Sequence, residues 1–314
     1  MRILEYNEVD PLQVLHLTML ALDFPFTPEH AAYIRRTDPR PFPFFTLNSV
    51  EDDRVLGQVG VFLLPMISTE GREDVGGVWA VSTHPAHSGL GVASALLEEA
   101  HTRMRDAGLR FSTLGTNRYR RAYKLYQQHG YVDMNVWATA LAEWETAHQP
   151  TRLRAERVQF QGPEGFDFVE KAFADLAADY LGFAWRHTPF ARLRDKVNRD
   201  DILIVWENNE PVGYVFAHKD NLLLKINIQL LHMDIDAVEV IAAVVSELKA
   251  SYIQVTMSRP SDIASVQRAG WRVAHPTWDA FMVKPLIPEV NVDDARQLFG
   301  IGTDRFLISW LDIT

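Results

Sequence analysis

An internal repeat constrains the fold of this chain more than any other feature of its sequence. The segment VLGQVGV at 55–61 resembles PVGYVFA at 211–217, and LYQQHGYVDMNVWATAL at 125–141 resembles SVQRAGWRVAHPTWDAFM at 265–282. Similarity at one large offset indicates a duplicated domain, because solenoid repeats recur at periods of about 20 to 50 residues. A chain of 314 residues also exceeds the length at which one hydrophobic core usually stops growing. We therefore predict two related halves.

The two halves differ in length. Gly57 and Gly213 are 156 residues apart, whereas Gly130 and Gly270 are 140 residues apart, so the second half is 16 residues shorter between these landmarks. The first half carries a glycine-containing loop in this interval. We attribute the shortening to the loss of that loop and predict that the second copy no longer carries the function.

Hydrophobic periodicity gives both halves a similar order of elements. In the first half, residues 91–107 and 121–129 have the spacing of amphipathic helices. Residues 75–82 and 131–141 are predicted strands, the second of them long. Strands alternating with helices in this way predict an α/β (α+β) fold with a mixed sheet in each half.

A polar segment at 143–152, which contains Pro150, has the composition of a linker between domains. We place the boundary there, with the first domain at 1–145 and the second at 154–314. The second domain then includes a C-terminal strand-like tail.

Composition and charge exclude several classes of function. The net charge of −10 disfavours nucleic acid as a partner and weakly favours cationic or neutral acceptors. The chain has no cysteine and no HxxxH or HExxH pattern, so no metal site is predicted. The N-terminus lacks the pattern of a signal peptide and the longest apolar runs are too short to span a bilayer. We expect a cytoplasmic protein with no membrane partner.

The strongest chemical signal is THPAHSGLGVASALLEEA at 83–100, which combines a strand end, a turn with Gly89 and Gly91, and a helix start. Glycine lets the backbone approach a ligand closely, and the N–H groups and dipole of a helix start favour an anion. These properties predict a pyrophosphate site, although a plain strand-to-helix turn would use similar residues. The dinucleotide fingerprint fails because Ser94 stands where its third glycine would be.

Two motifs in this half resemble the GNAT superfamily of N-acetyltransferases. The loop Ser88-Gly89-Leu90-Gly91-Val92-Ala93 is similar to the family's Arg/Gln-x-x-Gly-x-Gly/Ala loop, with Ser88 in place of Arg or Gln. Downstream, RAYKLYQQHGY at 121–131 resembles the family's Ala-x-x-Leu-Tyr-x-x-x-Gly-Phe segment. The resemblance covers residues 1–142 well and 154–286 by pattern only. It implies two tandem GNAT-like domains with mostly antiparallel sheets flanked by helices, the second copy being degenerate.

The resemblance also implies an activity, which is direct transfer of an acetyl group from acetyl-CoA to a primary amine of a small molecule or peptide. A non-catalytic module that binds or senses coenzyme A is the alternative, and a longer acyl group stays open. Tyr126 would be the general acid, unless it is only a packed aromatic, and the backbone N–H near Val81 would stabilise an oxyanion. The residues that the resemblance assigns to the cofactor are Val81, Thr83, Ser88, Gly89, Leu90, Gly91, Val92, Ala93 and Asn117.

The sequence leaves the general base open, because residues 75–83 contain no Glu or Asp. Candidates near the loop or strand are His84, His87, Glu73 and Asp74. Some tandem relatives bring the chain terminus into the acceptor site, which would give the role to Asp312 or to the carboxylate of Thr314. The basic cluster of Arg118, Arg120 and Arg121 suits cofactor phosphates, or is a solvated helix start.

Overall fold

A computed structural model describes residues 1–38, 40–144, 151–157, 173–184 and 202–308. The helices are α1 (Pro11–Leu22), α2 (Pro28–Thr37), α3 (Val92–Asp106), α4 (Arg121–Gln128), α5 (Ala237–Leu248), α6 (Pro260–Arg268) and α7 (Val292–Phe299). The strands of the first half are β1 (Arg2–Glu5), β2 (Pro41–Glu51), β3 (Arg54–Ser68), β4 (Gly71–Thr83), β5 (Phe111–Asn117), β6 (Val132–Asp133) and β7 (Ala138–Glu143). Those of the second half are β8 (Arg154–Arg157), β9 (Leu181–Gly182), β10 (Ile202–Glu207), β11 (Glu210–Asp220), β12 (Leu223–Leu231), β13 (Tyr252–Met257), β14 (Arg272–Ala274), β15 (Asp279–Pro285) and β16 (Phe306–Leu307). Helices that the sequence predicts at 166–180 and 192–197 fall mainly outside the described residues.

The first-half helices begin and end at the residues that local chemistry favours. The Asp10 carboxylate accepts a hydrogen bond from the backbone N–H of Leu12 at 3.0 Å and so caps α1. Helix α3 starts after Gly91 and is followed by Gly108. These two glycines have φ angles of 81° and 82°, in the left-handed region that favours glycine. The loop helix therefore has the bounds that the glycines predict.

The two sheets have the same strand order, which confirms the predicted α/β class with two mostly antiparallel sheets flanked by helices. The first sheet runs β1-β2-β3-β4-β5-β15-β6, and the second runs β8-β10-β11-β12-β13-β7-β14. In each order the fourth and fifth strands are parallel, as β4 with β5 and β12 with β13, whereas the other neighbours are antiparallel. Strand β9 joins the first sheet through β3 and β16.

Each sheet takes its sixth strand from the other half of the chain. Strand β7 pairs with β13 and β14, and β15 pairs with β5 and β6. The boundary predicted at 145/154 therefore does not divide the chain according to its sheets. The alternation of side chains specifies a strand but not the sheet that it joins. Strands β7 and β15 both belong to the repeated segments, and they hold equivalent positions in the two sheet orders.

The strand predicted at 131–141 is wrong as one element, because the chain leaves the first sheet within it. It forms β6 and then β7, and Asn135 between them has a left-handed φ of 52°. The N–H of Asn135 donates to Asp133 Oδ1 at 2.9 Å, which stabilises this turn. The same short segment thus carries the chain from one sheet to the other.

The sequence comparison attributes the shortening of the second half to the loss of its glycine loop. The structure differs, because the missing residues are not confined to that loop. Strands β3 and β4 have 15 and 13 residues, against 11 and 9 in β11 and β12. The loop before the helix shortens less, from residues 84–91 to residues 232–236. A shorter hairpin therefore accounts for more of the loss than the absent glycine loop.

The first sheet has a separate core on each face. Helix α3 packs on one face through Leu96, Leu97 and Met104, each fully buried. Helices α1 and α7 cover the other face through Val14 and Phe299. Because helices cover both faces of the sheet, a ligand can reach the strands only where two neighbouring strands separate.

Candidate functional site

A slot opens in the middle of the first sheet, where β4 and β5 separate. These parallel strands pair only at Gly76 with Ser112 and at Gly77 with Thr113. Beyond these pairs, the edge of β4 that faces β5 pairs with no other strand among the described residues. Free backbone groups on a strand edge can bind an extended ligand by strand addition.

A β-bulge lies on β4 beside the slot. Gly60 pairs with Trp79 and Gln58 with Ser82, so that Ala80 and Val81 together face the single residue between them on β3. Ala80 has a φ of 50°, a left-handed angle that is uncommon for a residue other than glycine. Bulges of this kind redirect backbone groups and are frequent next to active sites.

The slot forms a cavity of about 860 Å³. Its described lining consists of Ala21, Leu22, Val78, Trp79, Ala80, Val81, Gly115, Thr116, Asn117, Arg120, Ala122, Tyr126, Trp137, Asn227, Thr256, Asp279 and Ala280. Ala122 and Tyr126 belong to α4, whereas Ala21 and Leu22 end α1 and lie towards the opposite face of the sheet. The cavity therefore extends through the sheet and can receive a different reactant from each face.

The second sheet contributes one wall of this cavity. Asn227 on β12 and Thr256 on β13 line it, and both alternate with residues of the second core, such as Ile226 and Val255. They consequently lie on the face of that sheet away from α5. A polar surface of the second half thus faces the slot of the first.

Tyr126 lies on α4 at the cavity and is 6% exposed. Burial raises the pKa of its phenol, and the nearby charge of Arg120 opposes this shift only in part. The hydroxyl is therefore protonated at neutral pH and has a proton to donate. Among the described residues, the hydroxyl has no hydrogen-bond partner. It is therefore free to donate its proton to a ligand.

The predicted phosphate loop has an open, positive backbone. Gly89 and Gly91 have φ angles of 83° and 81°, and no atom lies within 4 Å of the point where a Cβ would stand. In α3 the first helical backbone bond runs from Ala95 N–H to Gly91 O at 3.0 Å. The N–H groups of Val92 and Ala93 precede that bond, so they are available to an anion at the positive end of the helix dipole.

The structure brings some of the predicted site residues together and leaves others apart. Val81, Asn117 and Tyr126 line the same cavity. The loop residues 88–93 are outside its lining and lie at the start of α3, directly beyond Thr83 at the end of β4. Asn117 donates a hydrogen bond from Nδ2 to Asp279 Oδ1 at 2.5 Å, so its amide is oriented by a strand from the second half.

Those candidates for a general base that the structure describes lie outside the cavity lining. Glu73 accepts two hydrogen bonds from Arg110, at 2.6 and 2.8 Å, near the start of β4 and far from the bulge. Asp74 pairs with Arg72. His84 accepts a hydrogen bond from Ala86 N–H at 3.2 Å and caps a short turn. Asp312 and Thr314 lie outside the described residues, and His87 is absent from the lining.

The three arginines of the basic cluster have different surroundings. Arg118 forms a two-pronged pair with Asp133 at 2.8 Å and also donates to the Asp279 carbonyl at 2.6 Å. It therefore joins the ends of β6 and β15, and its charge is already compensated. Arg120 lines the cavity, whereas Arg121 is exposed on α4. Of the three, Arg120 is best placed to meet a bound anion.

Sequence reasoning misses several cavity residues, namely Trp79, Trp137, Asn227, Thr256 and Asp279. Trp79 is surrounded by other aromatic rings and stacks on Phe62 with 4.9 Å between ring centroids. Two of the missed residues, Trp137 and Asp279, lie in the repeated segments, but the repeat alone does not reveal that their strands change sheets. Asn227 and Thr256 carry no local signal, because only the packing of the two sheets brings them to the slot.

The corresponding helix start in the second half is closed by its own side chains. Asp236 accepts a hydrogen bond from Val238 N–H at 2.8 Å and another from Ser265 Oγ at 2.6 Å. Arg259 donates to the His232 and Ile235 carbonyl groups of the same loop, at 3.2 and 2.9 Å. A carboxylate at this position repels an anionic ligand, in contrast to the open glycine loop of the first half.

The described part of the chain holds no cluster of three or more His, Asp or Glu side chains arranged to bind a metal ion. Among the described helices, none has the length and apolar character needed to cross a bilayer.

Comparison with known proteins identifies the first domain. Residues 12–131 match the model of the acetyltransferase (GNAT) family. A search of curated protein sequences finds no match. Similar solved structures include a probable N-acyltransferase from Enterococcus faecalis V583, with 15% identity and a TM-score of 0.69 over 91% of this chain and 72% of that one. A GCN5-related N-acetyltransferase from Anabaena variabilis has 16% identity and a TM-score of 0.61, over 91% of this chain and 73% of that one.

A third similar structure is that of Eis1 from Mycobacterium abscessus, with 16% identity and a TM-score of 0.60 over 91% of this chain and 74% of that one. At such low identity these likenesses establish a shared fold across both halves, while function has to be argued from the site. The family match covers the slot, the bulge, the glycine loop and Tyr126. Residues 12–131 therefore resemble the acetyltransferase (GNAT) family, and this match supports an acyltransferase.

Proposed function

We propose that the protein is an acetyl-CoA-dependent N-acetyltransferase that transfers the acetyl group directly to a primary amine of a small molecule or peptide. The observation that carries this proposal is the slot between β4 and β5, which opens to both faces of the first sheet. A thioester can enter from the α3 and α4 face and an amine from the face of α1 and the second sheet. Holding both reactants in line is a large part of the catalysis of such a transfer.

The first half has surfaces that fit both the phosphates and the chain of acetyl-CoA. The space above Gly89 and Gly91 is open, and the N–H groups at the start of α3 suit a pyrophosphate. Ser88 takes the place of the larger side chain common in this motif, so the backbone would provide most of the contact. The unpaired edge of β4 at Trp79–Thr83 would bind the pantetheine amides by strand addition.

Two groups would act on the reacting thioester, which acetyl-CoA supplies. The Val81 N–H, redirected by the bulge, would donate a hydrogen bond to the carbonyl oxygen and stabilise the negative charge that develops on it. The Tyr126 hydroxyl, whose pKa burial keeps high, would give its proton to the departing thiolate, and the proton that the nitrogen loses on forming the amide would pass to solvent, from which the phenol is restored. Direct transfer forms no covalent enzyme intermediate and therefore needs no cysteine nucleophile, which this chain lacks.

The second half would support the first without binding a cofactor of its own. Its loop lacks the glycines, and Asp236 occupies the start of α5. Its contribution would be structural and would include the cavity wall formed by Asn227 and Thr256.

A calorimetric titration with acetyl-CoA tests the cofactor site. Gly91→Trp should abolish binding, because the side chain fills the phosphate loop. Gly108→Trp is the matched control, since Gly108 has nearly the same φ and equally open surroundings at the other end of α3. Both variants carry a similar conformational cost, of about 1–2 kcal/mol, so only the difference between them reports the site.

Mass spectrometry of an amine panel incubated with acetyl-CoA tests the reaction. Acetylated product that depends on Tyr126 supports the transferase. Tight binding of acetyl-CoA without turnover on any amine would support a coenzyme A-binding module instead. Binding that is indifferent to Gly91 would refute the proposed cofactor site.

A further inference from the structure

We propose that Asp279, carried into the first sheet by the exchanged strand β15, binds a cationic group of the acceptor that is distinct from the nitrogen to be acetylated. The acceptor class would then be amines with at least two basic nitrogens. This inference rests on the proposed N-acetyltransferase function and adds the residue and the substrate chemistry of its acceptor side.

The charge of the cavity favours a cationic acceptor. Of the described residues that line it, Asp279 is the single carboxylate, and Arg120 is the single cation. The remaining lining on the acceptor side is neutral, with the aromatic rings of Trp79 and Trp137 and the apolar end of α1. A cation that enters this space therefore meets one anionic partner, between aromatic surfaces that also favour cations.

Asp279 lies on the face of the first sheet that is opposite to α3 and α4. Along β15, Ala280 and Met282 belong to the core beneath α3 and α4, whereas Phe281 belongs to the core on the opposite face. Side chains alternate along a strand, so Asp279 shares the face of Phe281. This is the acceptor side of the slot, away from α4, where Arg120 and Tyr126 would face the cofactor.

The Asp279 carboxylate is oriented by a neighbouring side chain and retains capacity to bind a ligand. Asn117 Nδ2 donates to one carboxylate oxygen, Oδ1, at 2.5 Å. A carboxylate has about four acceptor positions over its two oxygens, so Oδ2 and part of Oδ1 stay available. Asp279 is also exposed, and the chain's net charge of −10 adds a favourable long-range field for a cation.

The acceptor class follows from the chemistry of the attacking nitrogen. An ionised carboxylate favours the protonated form of an amine beside it. A protonated nitrogen has no lone pair and cannot attack a thioester. The nitrogen paired with Asp279 is therefore an anchor, and a second, neutral nitrogen must reach the thioester near Val81. A diamine satisfies both conditions, and a simple monoamine satisfies only one.

The test compares 1,5-diaminopentane with 1-aminopentane, which has the same carbon chain but one nitrogen. For the wild-type protein, kcat/KM with acetyl-CoA should be at least about tenfold higher for the diamine, as expected for one charged hydrogen-bonded contact. Asp279→Asn retains an acceptor for the Asn117 amide but loses the charge. It should raise KM for the diamine about tenfold and remove most of the preference over the monoamine. Asp106→Asn, an equal change of net charge on the exposed end of α3, should leave the preference intact.

Calorimetric titration of 1,5-diaminopentane into the CoA-saturated protein provides a readout that does not need turnover. Binding that weakens in Asp279→Asn but not in Asp106→Asn supports the anchor, and if no transfer accompanies it, only the proposed reaction fails. Equal kcat/KM for the two amines, or a diamine KM unchanged in Asp279→Asn, overturns the anchor while leaving the transferase proposal intact. An equal effect of both substitutions would show that bulk charge, and not Asp279, attracts the acceptor.

Discussion

The exchange of β7 and β15 predicts that the first half of the chain cannot fold by itself. A fragment of residues 1–153 contains the motifs of the first domain but lacks β15. In the intact protein this strand forms seven residue pairs with β5 and two with β6, and it separates these two strands in the sheet order. Without it, β5 has an open edge and β6 has no sheet partner.

The cost of losing β15 can be estimated from its buried side chains. Phe281, Met282 and Val283 are each at most 1% exposed, and they pack into the two cores of the first sheet. Full burial of such side chains contributes about 1.5–3 kcal/mol each, or roughly 5–9 kcal/mol for the three. A domain is typically stable by only about 5–15 kcal/mol, so the fragment should be largely unfolded.

Circular dichroism and urea titration of three chains would test this prediction. The intact protein and a chain joining residues 1–137 to residues 277–308 by a flexible linker should both unfold cooperatively, because each supplies β15 to β5 and β6. The 1–153 fragment should show no cooperative transition. The reasoning would be refuted if that fragment unfolded cooperatively at the same urea concentration as the intact protein.

Three further predictions concern single residues. Tyr126→Phe should lower kcat about a hundredfold with little change in KM for acetyl-CoA, as measured by steady-state kinetics. An unchanged kcat would show that Tyr126 is not the general acid. Burial lowers the pKa of His101 to about 3, so below about pH 6.5 the unfolded chain binds a proton that the folded chain does not. Urea titrations should therefore show that the free energy of unfolding falls from pH 6.5 towards pH 3. The slope of this fall should exceed the slope in His101→Gln by the equivalent of up to one bound proton, and equal slopes in the two proteins would contradict the prediction. Asp262→Leu leaves the buried Arg259 charge without its partner at 2.5 Å and should cost about 3–5 kcal/mol in the same assay, whereas a cost below 1 kcal/mol would show that the pair is not enclosed.

Features that depend on a few neighbouring residues could be predicted from the sequence. The glycine loop, the start of α3 at Val92 and the place of Tyr126 on α4 follow from local spacing, and the structure has them. The internal repeat also follows from the sequence, because its two segments keep their glycines and aromatic residues. The family match at residues 12–131 agrees with the motifs quoted for it.

Features that depend on distant pairing could not be predicted in this way. Nothing in the 125–141 segment shows that β6 and β7 join different sheets, since both have ordinary strand composition. For the same reason, the wall formed by Asn227 and Thr256 had no signal in the sequence. The basic cluster illustrates a third limit, because Arg118 is taken up by Asp133, and only coordinates distinguish it from Arg120.

The strand exchange also sets the order of events during synthesis. The first sheet needs β15, so it stays incomplete while the ribosome adds the residues between the end of β5 at Asn117 and the end of β15 at Pro285. At about 5–20 residues per second this interval lasts roughly 10–30 s, during which the edge of β5 is unprotected. The first sheet therefore depends on the second half of the chain even though that half lacks the glycine loop, because β15 must be synthesised before it can pair with β5 and β6.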